Sequence, residues 1–242
     1  MRATNLETGS SAGTLPETSH ATANGRLRVL MLGNSFTSAN NLPHLLECAL
    51  GGPDAATVVA HVRGGARLAE HLNPQTKMGA ATQRALASES WDFAVLQEMS
   101  NAPVTSRKRF LKSSAELCTQ IRAAGAIPVF YATWAYRKGS ARLAKLGLGY
   151  RECYEALHSA YAEAARENGA LLADVGTAFF EQAANRNLYA ADGCHPSEDG
   201  SQLAARVIAQ TIRNGASDVR GTMPSCAPSP GSAPALAEPP RT

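Results

Sequence analysis

The chain has 242 residues, of which 44% are hydrophobic and 18% charged, with a formal net charge of +3; this is an ordinary balance for a globular protein with a sizeable core. Its basic residues are scattered and form no dense block interleaved with aromatics, which argues against nucleic acid as a partner, and no apolar run reaches the ~18 residues of a membrane-spanning helix. The five cysteines, Cys48, Cys118, Cys153, Cys194 and Cys226, are far apart and never form a CxxC pair, so neither a disulfide framework nor a zinc site is expected.

Residues 1–25 are rich in Thr, Ser, Ala and Gly and contain no apolar h-region, so they are expected to be a disordered leader without a secretory signal, which places the protein in the cytoplasm. A single domain is expected over 26–214. Residues 215–242, where Pro, Ser, Ala and Gly dominate, read as a disordered tail.

The domain opens on Arg28-Val29-Leu30-Met31-Leu32-Gly33-Asn34-Ser35, an apolar strand that stops at a serine. Further strands are predicted at 57–62, 93–96, 127–133 and 170–175. Helices are predicted at 42–50, 66–72, 78–88, 105–124, 151–168 and 177–184, with a last one from 198 to about 213 capped by Ser197. Residues 134–149 read as a basic, glycine-punctuated loop and 188–198 as an irregular one. Strands alternating with helices imply a parallel sheet with helices on both faces.

Ser35 emerges where such sheets place their ligands, at the carboxyl end of a strand, and by itself is either a helix cap or a nucleophile. A nucleophilic serine needs a base and a carboxylate to orient that base. Asp192-Gly193-Cys194-His195-Pro196 supplies both in one turn, with Asp192 able to reach Nδ1 of His195 while Nε2 faces Ser35. Oxyanion donors are sought at two further strand ends: Gly64-Gly65, and the stretch from Gln97 to Asn101.

These motifs resemble the blocks of the SGNH (GDSL-like) hydrolase superfamily, and most closely the branch whose first block reads GNSF: Gly33-Asn34-Ser35-Phe36 matches the first block and Asp192-Gly193-Cys194-His195-Pro196 the last, DxxHP. The resemblance implies a three-layer α/β/α sandwich with a five-stranded parallel sheet of flavodoxin-like type. It also implies a cofactor-independent serine hydrolase that cleaves carboxylic esters, as an esterase, lipase or carbohydrate deacetylase, through Ser35, His195 and Asp192. Gly65, ranked before Gly64, matches the second block, whose glycine N–H serves the oxyanion hole. The third block, usually GxND, departs from the pattern, and Asn101 is ranked before Gln97 as its amide. The substrate implied is a small-molecule or acylated carbohydrate ester. The altered third block motivates an alternative, a non-catalytic module on the same fold that recognises an acylated sugar or peptide.

Trp134 and Tyr136 follow the fourth predicted strand and either line the substrate pocket or belong to a solvated loop. Cys194 is expected to be a structural thiol, His61 a core or hydrogen-bonded residue and His71 solvent-exposed. The histidines lack metal-ligand spacing, and no GxGxxG or GxxxxGK[ST] loop supports a nucleotide or flavin, so neither metal nor cofactor is expected. Nothing in the sequence sets an oligomeric state.

Overall fold

The computed structural model describes residues 25–221, with side chains through residue 217. In chain order its elements are β1 (Leu27–Gly33), α1 (Ser35–Ser38), a 3-10 turn (Ala39–Asn41), α2 (Leu42–Ala49), β2 (Ala56–Val62), α3 (Leu68–His71), α4 (Lys77–Ser88) and β3 (Phe93–Leu96). They continue as α5 (Ala102–Thr105), α6 (Arg107–Ala123), β4 (Ile127–Ala132), α7 (Ala141–Leu146), α8 (Tyr150–Glu167), β5 (Leu171–Asp174), α9 (Val175–Gln182) and α10 (Glu198–Gly221).

The five strands form one sheet in the order β2-β1-β3-β4-β5, with every neighbouring pair parallel. This is the expected three-layer fold. Strand alternation divides the core into two layers. Val29 and Met31 point to the side covered by Leu42 and Leu46 of α2 and Ile208 of α10, while Leu30 and Leu32 point to the side covered by Leu86 of α4, Leu117 of α6 and Tyr161 of α8. The chain leaves β1 toward β2 on one side and reaches β3 on the other. At such a switch point an open parallel sheet has a crevice beyond its carboxyl ends.

Several boundaries differ from expectation. The loop expected at 134–149 contains α7, bracketed by Ser140, whose hydroxyl accepts from the Leu143 N–H at 3.2 Å, and by Gly147 at φ 68°. The helix expected from 105 to 124 starts earlier and breaks at Ser106, whose φ of −144° is not helical. The helix expected from Ala66 starts at Leu68, because Ala66 closes a turn by donating to the Arg63 carbonyl at 2.9 Å. The last helix continues past Asn214 to Gly221, so residues 215–221 are helical and not tail. Its apolar contacts explain this: a Cβ on Gly215 would lie 2.4 Å from Leu171, and Ala216 packs on the core. The expected leader as far as residue 24 and the expected tail beyond 221 lie outside the described residues.

His71, expected at the surface, is fully buried. One hydroxyl, that of Thr82, serves Nδ1 of His71 at 3.0 Å and Nδ1 of His61 at 3.2 Å, donating to one ring and accepting from the other. Burial, outweighing the opposing influence of the Gly33 backbone, lowers the His71 pKa to about 4. An unfolded chain therefore binds a proton here below pH 6.5 that the folded chain refuses until about pH 4. Stability present above pH 6.5 is thus lost as the pH falls through this window, by about 3 kcal/mol in all. Urea unfolding of wild type and His71→Leu near pH 7 and near pH 4.5 is expected to show the smaller loss in the variant, and parallel losses would contradict the assignment.

Candidate active site

The turn after β1 has no room for a side chain at Gly33, where a Cβ would lie 2.2 Å from the Thr37 hydroxyl and 2.8 Å from the Gln97 amide oxygen. Asn34, not Ser35, is the cap of α1: its Oδ1 accepts from the Phe36 N–H at 3.1 Å. Ser35 is thereby released from capping and stands half-buried as the first helical residue, where its N–H has no intrahelical acceptor. The Asn34 Nδ2 donates to the Ala66 carbonyl at 3.0 Å, and the Asn34 N–H donates to Gln97 Oε1 at 3.0 Å, so the ends of β1, β2 and β3 are tied together.

The loop before α10 brings the second group. It is pinned by an antiparallel bridge between Tyr189 and Pro196 and by the Ala190 N–H donating to the His195 carbonyl at 2.9 Å. Asp192 Oδ1 accepts from the N–H groups of Cys194 and His195, each at 3.0 Å, and its Oδ2 lies 2.7 Å from His195 Nδ1. Burial pushes the Asp192 pKa up, but the His195 ring and those two backbone donors outweigh it and hold the carboxyl at about 2. An ionised carboxylate can only accept, so His195 Nδ1 carries the proton and Nε2 is left as an acceptor. Ser35 Oγ lies 2.9 Å from that nitrogen and is the donor to it. The arrangement is a proton path from a serine hydroxyl to an imidazole oriented by a carboxylate, the geometry that acyl transfer requires.

Among the expected oxyanion donors, Gly65 lies in an exposed turn at φ 68°, beside the Ala66 carbonyl that Asn34 holds; Gly64 precedes it in the same turn. Asn101 follows β3, half-buried and without a side-chain cap bond, and lines a narrow crevice with Ser100, Trp134 and Tyr136. Gln97 does not fit the role. It is buried beneath the serine turn, its Oε1 accepts from the Asn34 N–H and the Thr37 hydroxyl, and its Nε2 donates to the Glu98 carbonyl.

Trp134 and Tyr136 are buried, which corrects the solvated-loop alternative. Trp134 is stacked between Phe36 at 4.8 Å and Phe179 at 3.9 Å, so neither ring face is open to a substrate. It holds the histidine loop instead, its Nε1–H donating to the Cys194 carbonyl at 3.0 Å. Tyr136 bonds the Ser100 hydroxyl at 2.8 Å on the crevice wall. The Cys194 thiol is buried, and that burial raises its pKa to about 11. Asp192, Cys194 and His195 offer ligand atoms within 4.8 Å of one another, but a protonated thiol and an imidazole nitrogen already bound to the carboxylate are poor donors for a metal.

Two participants were not anticipated. Asn40, at φ 51°, donates through Nδ2 toward the Pro196 and Ser197 carbonyls and the Ser201 hydroxyl at 2.9 to 3.1 Å, fastening the serine segment to the histidine loop. The signal was the Asn40-Asn41 pair, since asparagine tolerates left-handed backbone. Glu98, buried, accepts from the Met99 N–H at 2.7 Å and lies 3.4 Å from the Leu68 N–H, joining the end of β3 to the start of α3.

No protein-family model matches the chain, and neither does any curated protein. Solved structures do. A protein from Slackia heliotrinireducens assigned to the SGNH hydrolases is 52% identical over 77% of this chain and 99% of its own, with a TM-score of 0.73. A DUF4886 family protein from Bacteroides uniformis is 21% identical over 78% of this chain and 83% of its own, with a TM-score of 0.59. A variant of an acetyl-xylooligosaccharide esterase from Geobacillus Stearmophilus is 16% identical over 77% of this chain and 94% of its own, with a TM-score of 0.55. The last two likenesses are of fold alone. Among the described residues no helix is long and apolar enough to cross a membrane.

Proposed function

The chain belongs to the SGNH hydrolase superfamily, and from that premise, with an acetyl-xylooligosaccharide esterase among the solved structures of the same fold, we propose that it cleaves carboxylic esters through an acyl-enzyme on Ser35. The observation that carries this is the unbroken path from Ser35 Oγ to His195 at 2.9 Å and from His195 to Asp192 at 2.7 Å.

Ser35 Oγ attacks the ester carbonyl carbon while His195 Nε2 takes the hydroxyl proton. The tetrahedral intermediate collapses with that proton passing to the leaving alcohol. Water then attacks the acyl-enzyme with His195 again as the base. The N–H groups of Ser35 and Gly65 and the Asn101 amide are the donors assigned to the oxyanion, usually the largest catalytic contribution. Asp192 keeps the proton on Nδ1 throughout. The substrate class of this reading is a small-molecule or acylated carbohydrate ester.

The test is covalent labelling. A fluorophosphonate probe is expected to add to Ser35 alone, as read by peptide mass spectrometry, and to stop hydrolysis of 4-nitrophenyl acetate. An unlabelled Ser35 in a protein that binds an acylated sugar without turning it over would replace this mechanism by the binding-module alternative.

A further inference from the structure

Glu98 is an acid only 2% exposed, two residues past the end of β3, and the chemistry assigned to Ser35, His195 and Asp192 does not use it. We propose that Glu98 is a positioning residue for the oxyanion hole: its carboxylate fastens the segment that carries Gly65 to the segment that carries Asn101. The proposal rests on the esterase reading and on the donors assigned there.

A buried carboxyl group is costly unless hydrogen bonds replace its water, and an apolar side chain would pack in its place without that cost. Burial accordingly raises the Glu98 pKa, against the Met99 and Leu68 N–H groups and the charges of Arg67 and Arg109. Its two oxygens face different chain segments. Oε1 accepts from the Met99 N–H at 2.7 Å, and Oε2 accepts from the Leu68 N–H at 3.4 Å.

Each of those contacts leads to an assigned donor. The Met99 carbonyl accepts from the Ala102 N–H at 2.8 Å, which closes a turn that contains Asn101. Leu68 is the first residue of α3, so its N–H has no acceptor within the helix and is available to the carboxylate. Two residues earlier, the Ala66 carbonyl accepts from Asn34 Nδ2 at 3.0 Å, and Gly65 stands next to it. Segment 65–68 is therefore held at one point by the neighbour of Ser35 and at another by Glu98. Gln97 completes the frame, since its Oε1 accepts from the Asn34 N–H at 3.0 Å. Two consecutive side chains beyond β3 thus hold the serine turn and the start of α3. Oxyanion donors must all reach one oxygen atom, at about 2.7–3.1 Å each, and a clamp on both segments sets their separation before substrate arrives.

Glu98→Gln tests this because the two side chains have the same shape. The amide oxygen can keep the Met99 N–H, but the amide nitrogen then faces the Leu68 N–H, and two donors repel. For 4-nitrophenyl acetate kcat is expected to fall about 30-fold with KM within about twofold of wild type, because a misplaced donor is felt in the transition state. The inhibitor 1,1,1-trifluoroacetone gives a second readout. Ser35 Oγ adds to its carbonyl carbon, the hydroxyl proton passes to His195 Nε2, and the carbonyl oxygen becomes an oxyanion in the hole. Its Ki is expected to rise by the same factor of about 30. Leu117→Ala, a core change in α6, is expected to lower the urea midpoint but to leave kcat and Ki within about twofold of wild type.

Leu68→Pro removes the donor at the other end of the contact. Arg67 is extended, at φ −103° and ψ 155°, as a residue before proline has to be, and proline is tolerated at a first helical position. This variant is also expected to raise the Ki, and it decides the matter alone if Glu98→Gln does not fold. In the Leu68→Pro background Glu98→Gln is expected to cost no more than about threefold further, since its amide then opposes no donor. Unchanged kcat and Ki in Glu98→Gln, a loss confined to KM, or full additivity of the two changes would overturn the positioning role and leave the Ser35 chemistry standing. Failure of both single variants to fold would overturn it too, making Glu98 a residue of folding. A wild type that neither turns over the ester nor binds the ketone would overturn both.

Discussion

Ser35→Ala is expected to lower kcat for a short-chain ester by about 10⁴-fold or more while the protein unfolds at the same denaturant concentration as wild type. The two halves of this expectation come from different contacts. The Ser35 hydroxyl makes the 2.9 Å contact with His195 Nε2, and its removal leaves no atom to attack the carbonyl. The helix end does not depend on that hydroxyl, because Asn34 Oδ1 caps α1 and the Asn34 side chain also holds Ala66. Alanine suits a first helical position, and the resulting void opens at a half-buried site, so the stability change is expected within about 0.5 kcal/mol. Steady-state hydrolysis of 4-nitrophenyl acetate and a urea titration decide it. A variant within tenfold of wild type would remove Ser35 from the chemistry, and a folded state markedly weakened by the change would make the serine a structural residue after all.

How far the chain could be read in advance follows from how local each feature is. β1 and its stop at Ser35 were legible because the apolar run Val29 to Leu32 followed by Gly-Asn-Ser specifies strand, turn and exposure together. Asp192 and His195 were legible because three residues in one turn can meet without help from the rest of the fold. Gln97 and Asn101 could not be separated in sequence: both offer an amide, and only the way β3 delivers Gln97 under the Asn34 N–H tells that its amide is already engaged. Trp134 was left undecided between pocket lining and solvated loop for the opposite reason. Its neighbours in sequence are basic and loop-like, but its partners Phe36 and Phe179 come from α1 and α9, far away along the chain. His71 and α7 failed similarly, the first because burial by Thr82 and His61 is a tertiary fact, the second because six residues carry too little periodicity to mark a helix.

Asp192→Asn is the substitution that separates orientation from mere presence of the triad side chains. Asparagine has the shape of aspartate, and its Oδ1 can still accept from the Cys194 and His195 N–H groups, so the loop is expected to keep its form. The change lies at the second oxygen. There an Nδ2–H would replace the carboxylate oxygen now 2.7 Å from His195 Nδ1, and two donors cannot face each other. The imidazole must then move its proton to Nε2, the atom that has to receive the proton of Ser35, and the base is lost without any atom leaving the site. An effect of about 10⁴ on kcat near neutral pH is expected, as large as losing a triad member and far beyond a packing change. The pH dependence separates this from a simple loss of charge. Wild-type Asp192, held at about 2, is ionised throughout the neutral range, so it does not itself titrate there. Its contribution to stability has the matching sign: present above the ordinary carboxyl pKa of 3.8, and lost only as the pH falls toward about 2. At neutral pH that contribution is present in wild type and absent from the variant, so the variant is expected to stay folded but to unfold at a lower urea concentration than wild type, while its turnover collapses. Turnover within tenfold of wild type would show that the imidazole keeps its tautomer without the carboxylate.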